Sequence, residues 1–279
     1  MGERYLRKVF IDVISSGGST RIDNLRIKFN IKKTSGGEPN KSEISIYNLS
    51  EKTRSLFETK GCKVALSAGH LGINPEGILL SNLFKTKNVD LIFKGDVVKF
   101  QHTKDGTDII TKLECGDGHV AFTSATLDKG YHPDTSLSVP FQDLASALGL
   151  AKGAQITIPD RKIGNGLTLS GPVRAHLDNL CKRYGLEWSI QNEALQIVDA
   201  TGFTTDGVVL LSKDTGLVGS PTKTKDGVEI TCLIEPALRP AKRINLDSMF
   251  IKGVFHARTV THDGDSHQGT FLTKSECNR

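Results

Sequence analysis

Apolar and polar residues alternate with period two through much of the first 115 residues and again through the last 75. Leu25, Ile27, Phe29 and Ile31 alternate with Arg26, Lys28, Asn30 and Lys32, which predicts a strand with one buried face. Glu43 to Tyr47 resumes the alternation and ends at Asn48-Leu49-Ser50. Ser50 is placed to N-cap a short helix over 51–59, which Gly61 would stop. The runs 8–14, 63–70, 91–100 and 108–115 read as further strands. The last two are joined through Lys104-Asp105-Gly106, a hairpin signal because Asp-Gly accepts positive φ. Six strands and one small helix predict a closed or nearly closed barrel over residues 1–116.

From 117 to 201 the period changes. A helix is expected near Gln142 to Leu148, then a short strand over 154–159. A second helix is expected over 173–184, with Pro172 at its start, an apolar stripe of Val173, Leu177, Leu180 and Cys181, and Gly185 ending it. The runs 186–190 and 194–198 form a hairpin across Gln191-Asn192-Glu193. Residues 202–279 return to strands at 208–211, 225–233, 243–246, 253–262 and 269–277, with Asp263-Gly264-Asp265 expected to turn the last pair. The fold class expected is mainly β with a small α/β insertion: two β-barrels, 1–116 and 202–279, flanking a compact α/β domain, 117–201.

Composition narrows the function classes. Twenty-eight glycines and only 6% aromatics suit many short strands and turns better than a helical bundle. No run approaches the ~20 apolar residues of a membrane helix, and the charged start, Met1 to Arg7, lacks a signal-peptide core. The net charge of +5 comes from 36 basic and 31 acidic residues that are interspersed, unlike the clustered charge of a nucleic-acid binder. The five cysteines, Cys62, Cys115, Cys181, Cys232 and Cys277, are odd in number and lack any CxxC, the pattern of a reduced protein made in a cytoplasm.

Candidate chemistry is sparse. His256, His262, Asp263, Asp265 and His267 carry imidazole and carboxylate ligands of the kind zinc or iron accepts. Yet two histidines six apart on a regular strand share a face at ~20 Å, and Asp-Gly-Asp is also what a hairpin turn favours. The turn reading is preferred, with no metal and no cofactor expected. Gly116-Asp117-Gly118-His119 reads as a loop leaving the first barrel rather than a catalytic pair. Cys181 and His176 do not share a helix face well. Glu187 and Glu193 read as solvated turn positions rather than a glycosidase pair. No nucleophile elbow, phosphate loop or dinucleotide fingerprint occurs.

Longer patterns go further. Ile27-Lys28-Phe29-Asn30-Ile31, then Asn40 to Ser50 with its Ile-Tyr-Asn-Leu-Ser ending, then Val64 to Gly69, then Leu91 to Val97 with Ile-Phe-Lys-Gly-Asp-Val, resemble the opening domain of baseplate hub proteins of contractile-tailed bacteriophages. Gly253 to Asp265 followed by Gly269-Thr270-Phe271 resembles the C-terminal strand pair of the same hubs. The resemblance covers about the first 115 and last 75 residues; the middle matches only in general layout.

That resemblance implies tail-tube-like barrels and a non-enzymatic homotrimer. Three chains with two barrels each would form a pseudo-six-fold ring joining a hexameric tail tube to a trimeric central spike around the DNA channel. It also implies contacts with tape-measure and baseplate wedge proteins, non-specific passage of DNA, no membrane insertion, and a place in the virion after assembly in the host cytoplasm. The long connection from His70 to Asn88 carries Ile78, Leu79, Leu80, Leu83 and Phe84, an apolar stretch expected to meet another subunit or its own barrel. The rival readings are a tail-associated peptidoglycan hydrolase and the hub portion of a secretion-system spike.

Overall fold

A computed structural model describes residues 3–16, 18–37, 39–73, 88–199, 204 and 207–279. The first segment contains β1 (Glu3–Ser15), β2 (Gly18–Ile22), β3 (Ile27–Thr34), β4 (Lys41–Tyr47), α1 (Glu51–Arg54), β5 (Lys63–Ile73), β6 (Val89–Asp105) and β7 (Asp108–Gly116). The middle contains α2 (His119–Ser124), β8 (Thr126–Tyr131), α3 (Ser138–Leu148), β9 (Ala151–Ile156), β10 (Leu167–Pro172), α4 (Val173–Tyr184), β11 (Leu186–Gln191) and β12 (Ala194–Asp199). The last contains β13 (Val208–Ser212), β14 (Thr222–Lys223), β15 (Gly227–Leu233), β16 (Arg243–Asp247), β17 (Lys252–Asp265) and β18 (Phe271–Asn278). The chain is mainly β, as its alternation requires.

The first and last segments do not form two separate sheets. They share one of 13 strands, in the order β14-β15-β18-β17-β3-β4-β7-β6-β5-β1-β2, with β16 beside β17 and β13 beside β16. Among the described residues that path stays open, with no pair joining its ends. The link is β17, whose residues 259–265 pair antiparallel with β3. Buried apolar side chains nevertheless gather in distinct clusters. One surrounds Ile11, Ile31, Ile44, Leu66 and Phe93, another Leu211, Ile230, Ile244 and Val260. The middle segment builds its own around Phe141, Leu144, Leu177, Trp188 and Ile197.

The two β-rich segments repeat one layout. In each, a long strand pairs first with the strand before it and then with the strand after it. β6 pairs β5 through 89–96 and β7 through 96–105, with a bulge between Val97 and Lys99. β17 pairs β16 through 252–256 and β18 through 256–264, with a bulge between Ala257 and Thr259. The buried thiols Cys115 and Cys277 stand opposite Val97 and Ala257 in these ladders. β4 then lies beside β7 as β15 lies beside β18.

Local chemistry explains most of the elements. The Ser50 side chain accepts the Thr53 N–H and starts α1, but regular helix ends at Arg54 and a 3-10 turn carries the chain over 55–58. α4 spans the expected 173–184 and buries Val173, Leu177, Leu180 and Cys181, with Gly185 at φ 69° closing it. β2 was not expected: Ser-Thr-Arg is exposed and polar, so no alternation announces it. The turn expected at Asp263-Gly264-Asp265 is displaced. β17 runs on through Asp265, because β3 pairs with it that far, and the chain reverses over 266–270.

Candidate functional site

The His/Asp group does not come together. The bulge after Ala257 reverses the side-chain phase of β17, so Phe255 and Ala257 are buried before it and Val260 and His262 after it. His256 therefore lies on the opposite face from His262, and not on the same one as a regular strand would have it. His262 is buried and its Nδ1 lies 2.9 Å from the Thr273 hydroxyl. Asp263 accepts from Asn30 at 3.3 Å. Asp265 pairs with Arg26 at 2.7 Å and accepts the His267 N–H at 2.9 Å, organising the turn. His267 contacts the Ser266 hydroxyl. No group of three or more His, Cys, Asp or Glu side chains among the described residues could hold a metal ion. Ile78, Leu79, Leu80, Leu83 and Phe84 lie outside the described residues.

What the fold does assemble is a buried polar junction where the three segments meet. Its centre is Asp117, fully buried between β7 and α2. One carboxylate oxygen accepts the Asn192 N–H at 2.6 Å and the other the Glu193 N–H at 2.7 Å. Those two residues turn the β11–β12 hairpin with φ of 55° and 61°, a left-handed pair that usually calls for Asn-Gly. The hydrogen bonds hold Glu193 in a conformation its side chain disfavours. Asn40, also buried, donates to Asp117, to the Ile190 carbonyl and to Gln191 while accepting the Thr34 N–H.

Charge surrounds this core. Lys33 sits on the inner phase of β3 with Ile27, Phe29 and Ile31, and its ammonium donates to Asn192 at 2.7 Å. Burial lowers the Lys33 pKa to about 8, although Asp117 pulls the other way. Burial likewise raises Asp117 to about 6 against the opposing effect of Lys33 and its N–H donors. Burial, reinforced by Lys33, drives His262 down to about 3. Glu193 is buried and paired with Lys63 and Lys94, rather than solvated. Burial opposes its ionisation, but the two lysines outweigh it and keep its carboxyl below the usual value. Asp96 adds a bond from the Val120 N–H at 3.0 Å. The Gln196 amide reaches the Pro240 carbonyl at 3.3 Å, tying the middle to the last segment.

Little in the local sequence announces this junction. The Ile27-Phe29-Ile31 alternation puts position 33 on the buried phase, but a lysine side chain gives no sign of burial by its type. The Asp117 role depends on a hairpin 75 residues later and has no local signal. Chemically the junction fixes geometry. The cysteines are all buried, and burial raises Cys115 and Cys181 to about 12 and Cys277 to about 11, so these thiols are poor nucleophiles at neutral pH.

The outer surface offers a different feature. β16 pairs β13 on one side and β17 on the other, aligning Leu210, Asn245 and Val254 in one row and Val208, Arg243 and His256 in the next. Val208, Leu210 and Val254 are half exposed or more, and the turn beyond them presents Met249 at 87% and Phe250 at 74% exposure. Singly exposed apolar residues are ordinary; here several stand near one another with the polar Asn245 and Arg243 of β16 between them, which makes this face a candidate contact surface. No helix among the described residues is long and apolar enough to cross a membrane.

The family model described as baseplate hub gp41 matches residues 7–277. No curated protein sequence matches the chain. Among solved structures, the fold is similar to that of the 43 kDa tail protein of prophage MuSo2 from Shewanella oneidensis, with 9% identity, 97% of this chain and 98% of that one covered, and a TM-score of 0.62. The tail protein from Neisseria meningitidis MC58 is 12% identical, with 99% and 97% covered and a TM-score of 0.57. The Escherichia coli c3393 protein is described as a type VI secretion component with structural similarity to T4 bacteriophage tail proteins gp27 and gp5. It is 10% identical, with 91% and 73% covered and a TM-score of 0.58. Such identities speak for the fold alone; the match over nearly the whole length speaks for the family. The chain belongs to the baseplate hub gp41 family, structural proteins of the bacteriophage tail.

Proposed function

We propose that this chain is a baseplate hub subunit that assembles as a homotrimer. Each copy contributes two tail-tube-like barrels, 1–116 and 202–279, with 117–201 as an α/β domain braced against both. Three copies give a pseudo-six-fold ring that meets the hexameric tail tube on one face and the trimeric spike on the other. The tape-measure protein and DNA pass through its channel, and wedge proteins pack outside. Interspersed charge suits such a channel, because clustered cations would retain DNA by counterion release. The tail is read as contractile, and the subunit as assembled in the host cytoplasm.

The observation that carries this reading is the repeated layout of the β5-β6-β7-β4 and β16-β17-β18-β15 strands, joined through the β3–β17 pairing. One chain thus holds two similar units side by side. Native mass spectrometry of the purified protein should give a trimer; monomer alone at micromolar concentration would contradict it. A clearing zone in a peptidoglycan zymogram would instead favour the hydrolase reading. The connection carrying Ile78, Leu79, Leu80, Leu83 and Phe84 joins β5 to β6 where the turn bearing Met249 and Phe250 joins β16 to β17. We assign it to subunit contact. Deleting residues 72–86 should leave a folded chain that fails to build tails; normal tail formation would refute the assignment.

A further inference from the structure

One face of the large sheet is patterned by charge. The buried phase of β3, β4, β7, β15 and β18 packs the cores, and the opposite phase lines up in rows across the strands. Lys274 of β18, Thr261 of β17, Lys32 of β3 and Lys41 of β4 stand side by side in one row. Two residues along the strands, Asp263, Asn30, Glu43 and Glu114 form the next, which ends at Lys99. Two residues further, Lys28, Ser45 and Lys112 follow. Glu229 and Glu276 stand on the other side of the first row. Positions two residues apart on a strand are separated by about 7 Å. Bands of carboxylate and ammonium therefore alternate along the strands.

Folding does not ask for this order. Glu229 faces Glu276, Lys32 faces Lys41 and Glu43 faces Glu114 as direct cross-strand partners. All six are exposed, and like charges placed directly opposite destabilise a sheet. Exchanging Lys41 with Glu43 would turn two of the repulsive pairs into attractive ones. The face is also concave, with a hollow of about 540 Å³ opening between Lys28, Asn30, Glu43, Ser45 and Asp263.

We infer that this banded face is the surface over which duplex DNA slides, and that its carboxylate rows keep its lysine rows from holding the phosphates. The inference rests on the channel reading above. A duplex carries one charge per ~1.7 Å of its axis, so a short stretch of it covers several bands at once. With a screening length of about 8 Å at physiological salt, each phosphate answers chiefly to the band beneath it. Wherever the duplex stands, attraction over one row is offset by repulsion over the next. It finds no position at which many counterions are released together. Asp265, beside Lys28, is buried and paired with Arg26, so it leaves the Lys28–Lys112 row basic.

Glu43→Gln/Glu114→Gln removes carboxylates from between two lysine rows. Asp134→Asn/Asp160→Asn makes the same change of charge at exposed positions of the middle segment, outside this sheet. Each purified full-length variant is titrated against a fluorescent DNA duplex, with anisotropy read over a range of salt. The native chain and the Asp134/Asp160 variant should bind weakly. The Glu43/Glu114 variant should bind at least about tenfold more tightly, with affinity falling more steeply as salt rises. Its denaturation midpoint should rise as well, because a repulsive pair is gone. An equal gain in both variants would assign the effect to net charge and overturn the inference, as would no gain in the Glu43/Glu114 variant. A trimer by native mass spectrometry beside either of those results leaves the ring reading intact. Tighter binding by a chain that stays monomeric would support the banded face and overturn the ring.

Discussion

An ionised carboxylate buried without partners costs far more than a folded domain can spare, so Asp117 stays in place only because donors surround it. Two backbone N–H groups and the Asn40 amide meet its oxygens, with the Lys33 ammonium nearby. Asp117→Ala leaves those donors unmatched and releases Glu193 from its left-handed conformation. It should cost about 2–4 kcal/mol in urea denaturation, and a loss under 0.5 kcal/mol would contradict this role. His262 gives a pH signature. Its folded value near 3 lies below the ordinary 6.5, so between the two the unfolded chain binds a proton the folded chain refuses. Its contribution is intact above pH 6.5 and falls on acidification, by up to about 1.4 kcal/mol per pH unit. Asp117 acts with opposite sign between 3.8 and 6, where the folded chain holds the extra proton. His262→Gln removes only the first effect, so the variant should gain stability relative to the native chain between pH 7 and pH 4.5. Parallel stability curves would show that His262 is not buried neutral.

The elements most legible in the sequence are those whose stability is local. α4 follows from its stripe and its flanking Pro172 and Gly185, and β3, β4 and β7 follow from alternation. What escaped are features set by distant partners. β17 passes its Asp-Gly-Asp sequence as strand because β3 lies beside it, and its bulge separates two histidines that a regular strand would align. Glu193 is buried because Lys63 and Lys94, on β5 and β6, reach its hairpin. The β3–β17 junction has its own test in Gly264, where an added Cβ would lie 2.5 Å from the Phe29 ring and 2.8 Å from that of Phe271. Gly264→Ala should therefore destabilise the chain by about 1–3 kcal/mol through overpacking. An unchanged denaturation midpoint would mean that the two segments are less tightly joined there than this packing requires.

At the scale of the whole molecule, the 28 glycines and the low aromatic content find a physical use. Gly264 brings strands close to aromatic rings, and Gly37 leaves room for the Trp188 indole, 2.9 Å from where its Cβ would stand. The apolar side chains are divided among three cores, and a buried polar junction holds those cores in fixed relation. Such a body suits an assembled part, because its geometry is set before it meets its neighbours and the open edges and the Met249–Phe250 turn remain for contact. Cryo-electron microscopy of the purified chain tests this account most directly. It predicts particles of three copies with six similar lobes around a central channel; isolated single chains, or rings whose lobes do not number six, would contradict it.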